Sequence, residues 1–345
     1  MNRFELARAT TPSQARELLA EKEGSVLKAG GIDLIDHLKE HLVEPPRVVD
    51  IKTIPGLDKI TAAGDGSLRI GALVTLAKVA ASTAIRKTHP ALALACAEAA
   101  SPQVRNVATI GGNVLQRPRC WYYRLESYKC VKKGGDVCYA VAGENRYNVI
   151  FGGGPAFPAH PSSAAVPLVA YGASFVLDGP KGPRTVPAAE FFVLPAKDPT
   201  RENVLQPGEV LLEIRVPSTR GWKSAYLEAR ERAAFDEVFV RFGSTVDGNG
   251  HVPQAIERLC QHVRIARYAG DSHAALRQCE RLVVAAGQVG DLGADVERTA
   301  SRHSFPLRVR MRERILYHWI PDLDVTPSEP KIEPANHRQA RRAAP

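Results

Sequence analysis

The chain has 345 residues, 44% hydrophobic and 24% charged, with a formal charge of +9. That composition is globular and the length exceeds one ordinary core, so two or three domains are expected. No run approaches the roughly 18 apolar residues of a membrane span, and the N-terminal stretch lacks an apolar signal core.

The positive excess is not gathered into one stripe. Residues 301–345 hold nine Lys/Arg against five Asp/Glu, and residues 323–345 read as a disordered basic tail rather than a nucleic-acid surface. Without an export signal of its own the chain is expected in the cytoplasm, or in the periplasm if a partner carries it there. Six cysteines in such a chain point to thiols or metal ligands rather than a disulfide framework.

In chain order, residues 13–23 predict an amphipathic helix behind a Ser or Thr N-cap. A short apolar strand follows, then the turn Lys28-Ala29-Gly30-Gly31-Ile32-Asp33 and a helix from about Leu34. Strand, paired glycines and helix start bring backbone amides and a helix N-terminus toward a phosphate. The spacing is neither GxGxxG nor a P-loop, and the same glycines also read as a plain turn. RVVDIKTI and SLRIGALVTLAKVA predict strands, the latter with a helix after Thr75, and residues 91–100 a buried small-residue helix with Cys96 as a core residue. About eighty residues after the first diglycine comes a second, Ala108-Thr109-Ile110-Gly111-Gly112-Asn113. Two such turns reinforce each other, because a diphosphate has two ends to hold.

Residues 116–160 have almost no apolar period and form a long loop, a type that is usually functional. Cys120, Cys130 and Cys138 place three of the six cysteines within nineteen residues. Their spacing is not that of a zinc ribbon; they read either as metal ligands or as incidental surface thiols. Arg119, Lys132 and Lys133 either lower thiolate pKa values or form a solvated face. An anion cradle beside clustered sulfur ligands suggests a bound redox cofactor. His160, flanked by prolines, reads as a structural hydrogen-bonder. SFVLDG, RTVPAAEFF and EVLLEIRVP predict strands, and a boundary near Pro217–Trp222 opens a second strand-rich domain with a hairpin turn at Asp247-Gly248-Asn249-Gly250.

AGGIDL, SPQVRNVATIGGN, IGALVTLAKVA, PGEVLLEIRVP and SAYLEARERAAFD, in that order between about Phe4 and Gly250, resemble the FAD-binding middle subunit of the molybdenum hydroxylases. The resemblance implies an α+β architecture over residues 1–220, a two-lobed FAD-binding fold of the vanillyl-alcohol-oxidase (PCMH) type. It further implies a small α+β C-terminal domain over 221–322, divergent after 250. Lys28, Ala29, Gly30, Gly31, Ile32, Asp33 and Leu34 would wrap the FAD pyrophosphate from one side, with Asp33 fixing the turn. Thr109, Gly111, Gly112 and Asn113 would close on it from the other.

The cysteine insert is similar to that of the bacterial aldehyde-oxidoreductase subgroup, whose flavin subunit also holds a [4Fe–4S] cluster; Cys120, Cys130 and Cys138 would be its ligands here. Two positions depart from the pattern. Ala156 stands where the subgroup has its fourth cysteine, and Ser163 replaces an aspartate that resembles a flavin-facing position. The implied function is electron transfer within a complex. A molybdenum-cofactor large subunit oxidises the substrate, a [2Fe–2S] small subunit relays electrons, and an external acceptor takes them from the flavin. The alternative is a degenerate assembly subunit that has lost its cluster. No residue is expected to be catalytic.

Overall fold

The computed structural model describes residues 1–149, 154–220, 222–230 and 238–246. The remainder of the 221–322 domain, the hairpin turn expected at Asp247–Gly250, the divergent stretch after 250 and the basic tail lie outside them.

The first lobe grows from a parallel sheet. β1 (Glu5–Arg8), β2 (Val26–Lys28) and β3 (Arg47–Asp50) pair in the order β1-β3-β2. Parallel neighbours need crossovers, and two helices provide them. α1 (Pro12–Glu21) starts where Thr11 Oγ1 accepts the Gln14 amide at 3.1 Å, with Pro12 in the first turn, where no amide partner is needed. α2 (Ile32–Lys39) begins directly after the first diglycine. Ala9, Ala15, Val49, Ile51 and Ile54 form the small core beneath, joined by Leu73 and Val210 from farther along the chain.

The second lobe is organised on an antiparallel sheet. β4 (Ile60–Ala62) and β5 (Leu68–Gly71) form a hairpin. Then come α3 (Leu76–Ala81), α4 (Thr83–Thr88), α5 (Pro90–Glu98), α6 (Pro102–Val107), α7 (Ile110–Leu115), α8 (Trp121–Arg124) and α9 (Ala165–Ala170). β6 (Ser174–Gly179), β7 (Gly182–Pro187), α10 (Ala188–Phe191) and β8 (Val210–Val216) complete the sheet in the order β4-β5-β8-β6-β7. Ile70, Leu92, Cys96, Ile110, Phe175 and Ile214 are among its fully buried residues. Burying the whole of a Leu, Ile or Phe side chain contributes about 1.5–3 kcal/mol, so each of these core residues stabilises the lobe. The thiol of Cys96 is pushed up to about 12 by burial alone, which leaves it a neutral core group.

The lobes are stitched by charge as well as by apolar packing: Arg16 on α1 pairs with Asp178 on β6 at 3.0 Å. β9 (Lys223–Arg230) and β10 (Val238–Val246) form an antiparallel hairpin at the predicted domain boundary. Tyr226 is buried in the second-lobe core, and Ser224 Oγ lies 2.6 Å from the Tyr171 hydroxyl. RTVPAAEFF departs from expectation in its second half. Ala188–Phe191 is helical, because Pro187 ends the ladder and Ala188 and Phe191, three apart, turn inward together.

Candidate functional site

A cavity of about 590 Å³ opens against both diglycine segments, a size within the usual range for small-molecule sites. The first segment is built by the backbone. Gly30 lies so close to the second lobe that a Cβ there would stand 2.2 Å from the Val107 carbonyl oxygen. Gly31 has φ +81°, a left-handed conformation that costs any residue with a Cβ, and it is the N-cap of α2. Glycine offers no side-chain cap, so the first-turn amides of α2 are left for another acceptor. Ala29, Gly30, Gly31, Ile32, Asp33 and Leu34 all line the cavity. Lys28 lines it too, but its ammonium is committed to Asp50 at 3.1 Å.

The second segment differs from its expected form. It is not an open turn: Gly111 and Gly112 sit in the first turn of α7, capped by Thr109. Its amides are engaged inside the protein. Ile110 N–H donates to Val74 O at 2.8 Å, Gly111 N–H to Ala72 O at 2.9 Å, Gly112 N–H to Thr109 Oγ1 at 3.1 Å and Asn113 N–H to Thr109 O at 2.9 Å. Gly111 is required by packing, since a Cβ would meet Ala72 O at 2.7 Å. The Asn113 carboxamide oxygen is likewise engaged: Oδ1 accepts from Ser162 Oγ at 2.7 Å and from the Ala164 amide at 3.3 Å. That bond pins the segment carrying Ser163, which is buried and lines the cavity. The second diglycine is therefore a wall of the cavity, and its backbone amides are engaged within the protein.

Residues that sequence reasoning passed over converge on Asp33. Its Oδ1 accepts from Arg124 Nη2 at 2.7 Å, its Oδ2 from the Arg117 amide at 2.8 Å, and Arg124 also reaches Asp36 at 2.6 Å. Arg117 lies over the Tyr123 ring, 4.9 Å from its centroid, a cation–π distance. Tyr123 meets His37 edge-on at 5.7 Å, and burial pushes its hydroxyl up to about 12. His37 is buried beside the cavity, and its Nε2 has no hydrogen-bond partner among the described residues. Burial, aided by Arg124 and Arg117 against the opposing pull of Asp33, brings its pKa down to about 4. The Asp33/His37 spacing of four on a helix was a visible signal; nothing local tied Arg117 and Arg124 to it.

The insert is more structured than a bare loop. It holds α8 and 3-10 turns at Val131–Lys133 and Tyr139–Val141. Tyr122, Tyr128 and Tyr139 pack ring to ring within it, at 5.0 to 5.8 Å. Cys120 lines the cavity, and its Sγ lies 3.6 Å from Asn148 Nδ2. Cys130 is buried beside Val137, and Cys138 is half-buried one residue beyond. Lys132 is not part of a solvated face. It is buried against Glu202 at 2.5 Å, and burial holds it below the ordinary lysine range while Glu202 opposes the shift. Lys133 Nζ donates to the Leu125 carbonyl at 2.6 Å.

A [4Fe–4S] cluster takes four thiolates. The insert offers three, Ala156 is buried where the fourth is expected, and among the described residues no three metal-ligating groups stand together. This donor set does not fit a complete cluster. The cavity, in contrast, fits a dinucleotide: a helix N-terminus without a cap, backbone brought close by glycine, a buried imidazole nitrogen lacking a partner, and room to hold a ligand.

Comparison with known proteins agrees. The chain is 35% identical over 257 residues to the aldehyde oxidoreductase FAD-binding subunit PaoB of Escherichia coli, covering 73% of this chain and 80% of that one. It is 30% identical over 217 residues to the carbon monoxide dehydrogenase medium chain of Hydrogenophaga pseudoflava, 63% of this chain and 59% of the other. A solved carbon monoxide dehydrogenase from the same organism, lacking the Mo-pyranopterin moiety of its molybdenum cofactor, superposes with a TM-score of 0.53 at 28% identity, covering 71% of this chain and 69% of that one. The model of the FAD binding domain in molybdopterin dehydrogenase matches residues 2–219, and the chain belongs to that family.

Proposed function

We propose that this chain is the FAD-binding electron-transfer subunit of a molybdenum-containing oxidoreductase of the aldehyde or xanthine type. A large partner with the molybdenum cofactor oxidises the substrate, a small [2Fe–2S] partner relays the electrons, and this chain passes them to an external acceptor. The observation that carries the reading is the uncapped N-terminus of α2 at the mouth of a cavity in a chain of this family. FAD, when bound, supplies a centre able to take up electrons singly and release them in pairs.

The chain's own residues do the holding. Gly30 and Gly31 would let the main chain approach FAD, and the amides of Ile32, Asp33 and Leu34 with the α2 dipole would hold its negative pyrophosphate. Thr109, Gly111, Gly112 and Asn113 fix the opposite wall and, through Ser162, the backbone at Ser163. The compartment follows the partners: cytoplasmic, or periplasmic by joint export. No helix among the described residues is long and apolar enough to cross a membrane.

Adding an aldehyde anaerobically to the assembled complex should bleach the flavin, while the isolated chain with FAD stays oxidised. Substrate oxidation by the isolated chain, or an unreduced flavin in an active complex, would refute the assignment. Buried Ala156 and the ungathered cysteines favour a second reading of the insert. In it the fold is kept, the cluster is lost, and Cys120, Cys130 and Cys138 are plain thiols. Iron and labile sulfide assayed on the purified complex and on this chain separate the readings, and no step of the proposed transfer runs through a cluster here.

A further inference from the structure

Asp33 poses a problem that its neighbours answer. Its carboxylate stands in the first turn of α2, beside the amides that would face a pyrophosphate, and two negative groups there repel. The carboxylate is largely withdrawn from water, with its side chain 20% exposed, so solvent alone does not screen it. Both of its oxygens are occupied from the insert: Oδ1 by Arg124 Nη2 at 2.7 Å and Oδ2 by the Arg117 amide at 2.8 Å. Arg124 is itself only 13% exposed. It is held by the Pro118 carbonyl at 2.8 Å, the Arg117 carbonyl at 3.1 Å and Asp36 at 2.6 Å. A guanidinium so fixed is a preorganised counter-charge rather than a surface ion pair. Arg117 continues the chain of contacts, pairing with Glu202 at 2.7 Å, which in turn holds the buried Lys132 two residues from Cys130.

We propose that Arg124, a residue of the cysteine-bearing insert, is a positioning residue for flavin binding. By neutralising Asp33 it keeps the first-turn amides of α2 available to the FAD pyrophosphate, and it makes the insert and the flavin turn one electrostatic unit. The proposal rests on the flavin-binding reading above. Asp33 in turn orders the insert, since it receives both a backbone and a side-chain donor from residues 117–124, more than eighty positions away. The orphaned Nε2 of His37, on the same helix, leaves a further polar contact open at this end of the cavity.

The test is an FAD titration of the full-length chain, followed by flavin fluorescence at low and high sodium chloride. The panel is the unchanged chain, Arg124→Gln, Arg124→Lys, Asp33→Asn and the double variant Asp33→Asn/Arg124→Gln. Arg124→Gln should weaken FAD binding roughly tenfold at low salt, and the defect should shrink at high salt, because salt screens the unmasked carboxylate. Arg124→Lys, which keeps the charge and loses the fork, should fall between. Adding Asp33→Asn to Arg124→Gln should recover most of the affinity, since it removes the charge that needed a partner.

A merely structural role predicts the reverse: no salt dependence, and a double variant at least as weak as the single. Either of those results, or normal affinity in Arg124→Gln, overturns the proposal. If Arg124→Gln alone does not fold, the double variant decides: near-normal FAD binding upholds the proposal, and lost binding overturns it. An unchanged chain that takes up no FAD overturns the flavin reading itself, while normal binding with indifferent variants removes only the role of Arg124.

Discussion

Two segments that share a diglycine do opposite work. At Gly30-Gly31 the glycines release a helix N-terminus: Gly31 is left-handed, no side chain caps α2, and the amides border the cavity. At Gly111-Gly112 they close one: Thr109 caps α7, and the amides bond to Ala72, Val74 and Thr109. The first pair leaves amides free at a cavity, the second serves packing between backbone and backbone. A glycine pair is thus no evidence of an anion site until the partners of its amides are known.

The comparison breaks most violently at Gly30. Gly30→Ala would drive a Cβ to 2.2 Å from a carbonyl oxygen on rigid backbone, so the two lobes must part at this seam. We expect a loss of about 4 kcal/mol, read as a collapse in urea midpoint and in soluble yield. Gly111→Ala, at 2.7 Å from Ala72 O, should follow it closely.

Charge separates the segments next, since α2 carries Asp33, Asp36 and His37 while Thr109–Asn113 carries no ionisable side chain. His37 has a folded pKa of about 4 against an ordinary 6.5, so the unfolded chain binds the proton first. Its contribution to stability is complete above about pH 6.5 and is lost as pH falls toward 4, at most about 3 kcal/mol over that window. Urea midpoints measured from neutral to mildly acidic pH should fall in the natural chain and fall less in His37→Leu.

Gly31→Ala sharpens the contrast differently. The new methyl would meet only the flexible ends of Ile35 and Lys28, at 3.1 and 3.2 Å, but φ +81° remains strained for alanine. A cost of about 2 kcal/mol is expected, with FAD affinity reduced more than stability because the strain falls on the amides proposed to hold the pyrophosphate. Smallest is Thr109→Val, which removes the α7 cap; about 1 kcal/mol of stability should go, while FAD affinity changes less than in Gly31→Ala.

Much of the framework was legible because it is local. The Thr11 cap and the Ala/Leu spacing place α1, apolar runs punctuated by Gly-Pro turns place β6 and β8, and the alanine-rich run places α5. What escaped was held by distant partners. Thr109-Ile110-Gly111-Gly112 reads as a turn, since glycine disfavours helix, yet Ala72 and Val74 fix it as one. Lys132 reads as a solvated charge until Glu202, seventy residues on, is seen to bury it. Arg124 and Asp33 lie 91 residues apart, and no periodicity in either neighbourhood predicts that they meet. The insert reads as a loop in the sequence because its order comes from aromatic edges and ion pairs rather than an apolar stripe.

The central claim is that the cavity over α2 is an FAD site, and equilibrium titration of the isolated full-length chain with FAD tests it most directly. Saturable quenching of flavin fluorescence at one FAD per chain, markedly weakened in Gly31→Ala and little altered in Thr109→Val, is the predicted result. A folded natural chain that leaves the fluorescence of added FAD unchanged would contradict it.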